Sequence, residues 1–149
     1  MIRINLSNTK KLYDAIDKFA EKATQVVDDV VSSTAFEVEL KAKENASVKQ
    51  ILDKGDLIQN IRAEKQEQPL TWKITSYMPY SAYHEFGTGG LVDVPAEWQQ
   101  MASYFKGKGI KQVNIQPRPF MYPAYLFGRN RFNKDLREEL KVLTQKFNG

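Results

Sequence analysis

Along the first third of the chain, Leu12, Ile16, Phe19, Ala23, Val26, Val30, Thr34 and Val38 recur at steps of four and three, the period of one face of an α-helix. No Gly or Pro interrupts the run from Ser7 to Ser47, and Ser7 or Asn8 can cap its start. The pattern predicts one helix over about residues 8–46. At ~1.5 Å per residue such a helix is close to 60 Å long, more than a small domain needs to cover its own core. Either it lies across a sheet, or part of it pairs with a neighbouring copy in the manner of a coiled coil.

The period then changes. A short helical stretch is expected near Ser47 to Leu52, and Asp53-Lys54-Gly55-Asp56 reads as a turn. Leu57, Gln59, Ile61 and Ala63 alternate with Ile58, Asn60 and Arg62, and Trp72, Ile74 and Ser76 alternate with Thr71, Lys73 and Thr75. These alternations predict strands over about 57–65 and 70–77, joined through Gln66-Glu67-Gln68-Pro69 as an antiparallel hairpin. A hairpin is marginal alone in water, so a helix or further strands must pack on it. Aromatics at 80, 83 and 86 favour a short helix that Gly87-Thr88-Gly89-Gly90 ends.

Residues 88–112 read as an inserted flap, in which Pro95 opens a helix through Phe105 and Gly107-Lys108-Gly109 closes it. Lys111 to Gln116 alternates around Val113 and Ile115 and predicts a returning strand. Gln116-Pro117-Arg118-Pro119 is a rigid extended joint; if it continues as a strand, Arg118, Phe120 and Tyr122 share one face. Beyond it, Phe132, Leu136, Leu140, Leu143 and Phe147 give a second amphipathic helix. The predicted class is α+β: long N-terminal and C-terminal helices on a small antiparallel sheet, a single domain over 1–149 with the flap inserted.

Composition narrows the function. Of 149 residues, 42% are hydrophobic and 27% charged, a globular balance. No apolar run approaches the ~18 residues a membrane span needs, and Met1-Ile2-Arg3-Ile4-Asn5-Leu6 lacks the apolar core of a signal peptide. A soluble protein made in a cytoplasm, with no membrane partner, is expected. The absence of cysteine removes disulfides, thiol nucleophiles and zinc-finger geometry. The net charge of +4 is unevenly spread: from Gln99 to Lys134 there are seven cations and no acid, leaving 15 cations against 18 acids elsewhere. Twelve of the 17 aromatics lie between Tyr77 and Phe132. Cations beside aromatics can bind single-stranded nucleic acid, but here they are spread over a loop, a proline joint and a helix, which also suits a solvated or subunit-facing surface.

The catalytic motifs fail one by one. His84-Glu85 would need a second histidine one helical turn on, and position 88 is Thr. No Gly-x-Ser-x-Gly elbow is present to support a hydrolytic triad around His84, the only histidine. A phosphate loop ending at Gly107-Lys108 would need glycine at Ala102 and Ser or Thr at Gly109. Gly87-Thr88-Gly89-Gly90 follows a helix instead of a strand, against the dinucleotide fingerprint. No enzyme, cofactor or metal site is expected.

Three strings in this order have a different resemblance. Asp53-Lys54-Gly55-Asp56-Leu57-Ile58-Gln59-Asn60-Ile61, then Tyr80-Ser81-Ala82-Tyr83-His84-Glu85-Phe86-Gly87-Thr88-Gly89, then Gln116-Pro117-Arg118-Pro119-Phe120-Met121-Tyr122-Pro123-Ala124 resemble the neck and tail-completion proteins of long-tailed bacteriophages. Lys54, Asn60, the inserted Arg118 and Met121-Tyr122 depart from the family pattern. The resemblance implies a structural virion protein that forms a homo-oligomeric ring at the head–tail junction. Its partners would be other copies and neighbouring neck, connector or tail-tube proteins, with non-specific contact to DNA in the channel as a further option. A tail terminator ring and a DNA-contacting assembly protein are the alternatives.

The residues expected to shape interfaces or structural motifs are Gly55, Tyr83, Glu85, Phe86, Gly87, Trp98, Tyr104, Phe105, Arg118, Pro119, Phe120 and Tyr122. The glycines would supply backbone angles, Glu85 a local hydrogen bond or ion pair, and Arg118 a polar rim. Phe120 is either an interface anchor or a plug in the domain's own core. Trp98, Tyr104 and Phe105 read as unshared aromatics of the flap, available to a partner.

Overall fold

The computed structural model describes residues 9–49, 51, 55–87, 96–100 and 116–148. Its elements are helix α1 (Thr9–Val48), the single turn α2 (Asp56–Gln59), strands β1 (Ile61–Lys65) and β2 (Trp72–Ser76), helix α3 (Ser81–Phe86), a 3₁₀ turn (Ala96–Trp98) and helix α4 (Met121–Asn148). The architecture is α+β, two long helices and a two-stranded antiparallel sheet.

The 40 residues of α1 serve two partners. Its second half carries the small buried residues Ala35, Ala42 and Ala46, with Val38 between them. Small side chains let neighbouring backbones approach closely, and Ala42 and Ala46 are fully buried in the core with Ile51, Leu57, Ile61, Phe120 and Ala124. Along another face, α1 packs against α4. There Gly128 meets Val38 and Thr34: a Cβ added at Gly128 would sit 2.1 Å from Val38 Cγ2. Arg131 bridges to Glu37 at 2.7 Å and to Asp135 at 3.2 Å, and Phe19 meets Phe147 edge-on at 5.0 Å. Phe147 lies in the last turn of α4, so the first ten residues of α1 project past it, leaving Leu12, Tyr13 and Ile16 more than half exposed. The excess length read from the sequence is thus divided between the sheet, α4 and a projecting end.

The sheet pairs Ile61 with Ser76 through to Lys65 with Trp72. The outer edge of β1 is closed by α1, because the Ala63 N–H donates to Glu39 Oε2 at 2.6 Å. Burial pushes the Glu39 carboxyl up, but its hydrogen bond to Lys43, the Ala63 N–H and the charges of Lys43 and Arg62 together hold it below the ordinary 4.5.

Three expectations need correction. Ser47 and Val48 belong to α1 instead of a separate helical stretch. Residues 57–59 are helical, so β1 starts only at Ile61. Gly55, at φ +83°, starts this turn in the left-handed region, and the Asn60 side-chain amide donates back to Asp56 O at 2.8 Å. Leu57 and Ile61 then both reach the core at a spacing of four, which suits a turn as well as alternation suits a strand. Third, the joint does not run on as a strand: residues 116–119 are irregular, but Met121 onward is helix, so Arg118, Phe120 and Tyr122 do not share one strand face. The expected returning strand at 111–116 lies, apart from Gln116, outside the described residues, as do Tyr104 and Phe105.

Candidate functional site

An α-helix begins with four backbone N–H groups that have no partner inside the helix. At the start of α4 each one is accounted for. Glu85 Oε2 accepts from the N–H of Phe120 at 2.7 Å and of Met121 at 2.9 Å, and Glu85 Oε1 accepts from the N–H of Tyr122 at 2.9 Å. The fourth position is Pro123, which has no N–H to satisfy. A carboxylate here also meets the positive end of the helix dipole. Glu85 is the only charged side chain among the buried described residues, 6% exposed, and this arrangement is why burial is tolerated: its two oxygens take three donors.

The capping carboxylate comes from α3, and local backbone geometry aims it. Gly87 follows α3 at φ 69°, ψ 179°, a combination open in practice to glycine alone, so the chain turns away directly after Glu85-Phe86. The Arg118 N–H donates to His84 O at 2.7 Å, laying the proline joint against α3. The end of α1 holds the other side: Lys49 Nζ donates to Pro119 O at 2.6 Å and Asn45 Nδ2 to Phe120 O at 3.0 Å. Phe120, fully buried, fills the space between. The two distant strings of the sequence are therefore one corner, tied by Glu85, His84 and Arg118.

On the outer side of this corner the aromatics converge. Trp98 packs on Phe86 at 5.9 Å, on Tyr122 at 5.4 Å and on Tyr125 at 6.4 Å. Tyr122 donates to Glu97 Oε1 at 3.2 Å, and burial, then the charge and hydrogen bond of Glu97, raise its hydroxyl above the ordinary 10. It stays neutral and acts as a donor. Arg129 lies 5.9 Å over the Tyr125 ring. Trp98 is therefore shared within the chain, against its reading as an unshared flap aromatic. Tyr83 is 42% exposed and Arg118 is exposed, both beside this corner.

Of the twelve expected residues, Glu85, Phe86, Gly87, Trp98, Arg118, Pro119, Phe120 and Tyr122 meet at this corner, with Tyr83 on its α3 side. Gly55 stands apart, at the entry to α2. Asn45, Lys49 and Gly128 were missed by sequence reasoning. Gly128 carried a signal, an isolated glycine inside a helical pattern; Asn45 and Lys49 carried none, being ordinary polar residues on a helix. Among the described residues no three His, Asp or Glu side chains gather as a metal site would require.

The stretch from α1 to Gly87 has a match of its own: a family model described as "Bacteriophage HK97-gp10, putative tail-component" covers residues 10–87. The chain belongs to this HK97-gp10-like family. Neither the curated proteins nor the solved structures gave a significant match. The HK97-gp10-like match ends at the glycine that follows the capping glutamate, while the segment Glu85 caps lies beyond it. As an HK97-gp10-like protein, the chain has a structural, tail-related role in a bacteriophage virion. Among the described residues no helix is long and apolar enough to cross a membrane.

Proposed function

We propose that this chain is the subunit of a homo-oligomeric ring at the head–tail junction, where it completes the tail and joins it to the capsid. The observation that carries the reading is the apolar surface that α1 leaves uncovered: Leu12, Ile16, Phe36 and Leu40 are 59, 53, 50 and 65% exposed. Two of these lie on the projecting end, Phe36 lies against Trp72 of the sheet and Leu40 lies toward α4 with Glu37, Lys41 and Phe127, so the surface is spread along the helix and suits contacts on more than one side of a subunit. The rigid corner at Glu85 supports the same reading, since preorganised aromatic surface loses little entropy on docking. Its neighbours would be further copies and the adjoining neck, connector or tail-tube proteins. Of the four described cations between Gln99 and Lys134, Arg131 is paired with Glu37 and Asp135 and Arg129 lies over the Tyr125 ring, so two of them already have partners within the chain.

Removal of the gene from its phage tests this. Filled heads and tails of normal length that fail to join are the expected products. Tails of uncontrolled length would instead identify a tail terminator, because an uncapped tube continues to polymerise. Normal infectious particles would refute a role at the junction.

A further inference from the structure

The apolar face that α1 turns toward α4 does not stop where α4 does. Leu12, Ile16, Phe19, Ala23, Val26 and Val30 recur at steps of four and three on one side of α1. Phe19 meets Phe147 edge-on, Val26 lies with Leu143 and Phe147 along the seam between the helices, and Val30 is 5% exposed. Past the last turn of α4 the same stripe runs on through Ile16 and Leu12, which are 53 and 59% exposed. The face that α4 covers elsewhere is thus bare over Thr9 to Lys18, ~15 Å of helix.

The charges on this projecting end are sorted by side. Lys11, Ala15 and Lys18, at steps of four and three, border the stripe, whereas Asp14, Asp17 and Glu21 follow one another on the side away from it. Neither Lys11 nor Lys18 has an ion pair among the described residues. The end therefore offers a surface that is apolar and basic.

Further along, the seam between α1 and α4 has the opposite sign. A groove there is lined by Val26, Asp29, Val30, Ser33, Asp135 and Glu139, with no Lys or Arg in its lining. Arg131 holds Asp135 at 3.2 Å, but Asp29 and Glu139 are exposed and have no ion pair among the described residues. Val26 and Val30 stand four residues apart, the same step as Leu12 and Ile16, so the ridge of one helix can seat in the groove of the other. Lysine stems can lie along the apolar floor while their ammonium groups reach the carboxylates at the rim.

We infer that the projecting end of α1 in one copy lies in this acidic groove of the next, with Leu12 and Ile16 against Val26 and Val30 and with Lys11 and Lys18 facing Asp29 and Glu139. The occupant is a second copy because step, length and charge sign all match within this one chain. It is not the chain's own end, since α1 is one continuous helix without Gly or Pro and cannot fold back on itself. The inference rests on the ring reading and names the contact between its subunits. Each copy gives one end and receives one, a head-to-tail contact that closes by rotation.

Charge exchange in the full chain tests this. Lys11→Glu with Lys18→Glu makes the end acidic, and Asp29→Lys with Glu139→Lys makes the groove basic. All four positions are exposed, and circular dichroism checks that each variant keeps the helix content of the parent. Light scattering over a range of concentrations reports assembly. Each double variant should raise the concentration of half-assembly by roughly tenfold or more, and the chain carrying all four changes should return it to that of the parent. Rings that form unchanged from either double variant would overturn the inference and leave the ring reading standing. Loss in both without recovery in the fourfold variant would overturn it too, because end and groove would then meet different partners. Recovery in assemblies of only two chains would support the contact and overturn the ring. A parent that stays a single chain at every concentration would overturn both.

Discussion

Replacing Glu85 by Ala removes the acceptor of three backbone N–H groups at once. The Phe120 N–H is buried, so its loss of a partner costs the full desolvation of a donor, roughly 1–3 kcal/mol. The Met121 and Tyr122 groups are only partly buried, and water entering the vacated space can rescue them in part. For these two, the usual loss of about 1 kcal/mol for a helix cap is the better guide. The expected destabilisation is therefore about 2–4 kcal/mol, a large part of the 5–15 kcal/mol typical of a domain. Glu85→Gln should lose about half as much, because its single carbonyl oxygen can still take the Phe120 and Met121 donors while its amide nitrogen faces the Tyr122 N–H, donor against donor. Urea unfolding followed by circular dichroism gives the midpoint. At a slope of about 2 kcal/mol per molar, Glu85→Ala should move it down by ~1–2 M. Amide exchange at residues 120–122 should accelerate in the same variant, with the far end of α4 less affected. A shift below about 0.5 kcal/mol, the range of an ordinary surface substitution, would refute the capping argument.

Phe120→Ala should cost the monomer ~3–5 kcal/mol, the usual range for emptying a buried aromatic site; an unchanged unfolding midpoint would return Phe120 to the interface. Gly128→Ala gains up to ~1 kcal/mol of helix propensity but forces a methyl into Val38, so a net loss is expected, with Val38→Ala in the same chain restoring most of it. At Glu39 the carboxyl lies below its ordinary 4.5 in the folded state. Its contribution is therefore full above that value and disappears as pH falls through the folded one. Glu39→Gln should accordingly lower stability at pH 7 and lessen its decline below about pH 4.5; parallel pH profiles for variant and parent would contradict this.

What the sequence disclosed follows from the range of the forces involved. The two long helices and the hairpin were legible because their periods persist over many residues, and α1 was placed within a turn or so of its observed ends. Residues 57–60 were misread because Leu57 and Ile61 satisfy a turn and an alternation equally, and the deciding left-handed angle at Gly55 is a single local event. The start of α4 was left open, because its apolar period is plain only from Phe132 onward and nothing in the spacing says where Pro123 falls in a helix. In the first turn its missing N–H costs nothing, and the cap that fixes this start arrives from 35 residues away. The importance of Glu85 was visible in its string, but the identity of its three donors was not. A carboxylate's partner across a fold has no signature in the spacing of either segment.

The placement of the subunit is tested most directly by a density map of the intact virion at the head-proximal end of the tail. The account predicts a closed ring of copies of this chain between connector and tail tube, with the exposed apolar positions of α1 buried against neighbouring copies. Density for the chain along the tail shaft or at its distal tip, or single copies without contact to one another, would contradict it.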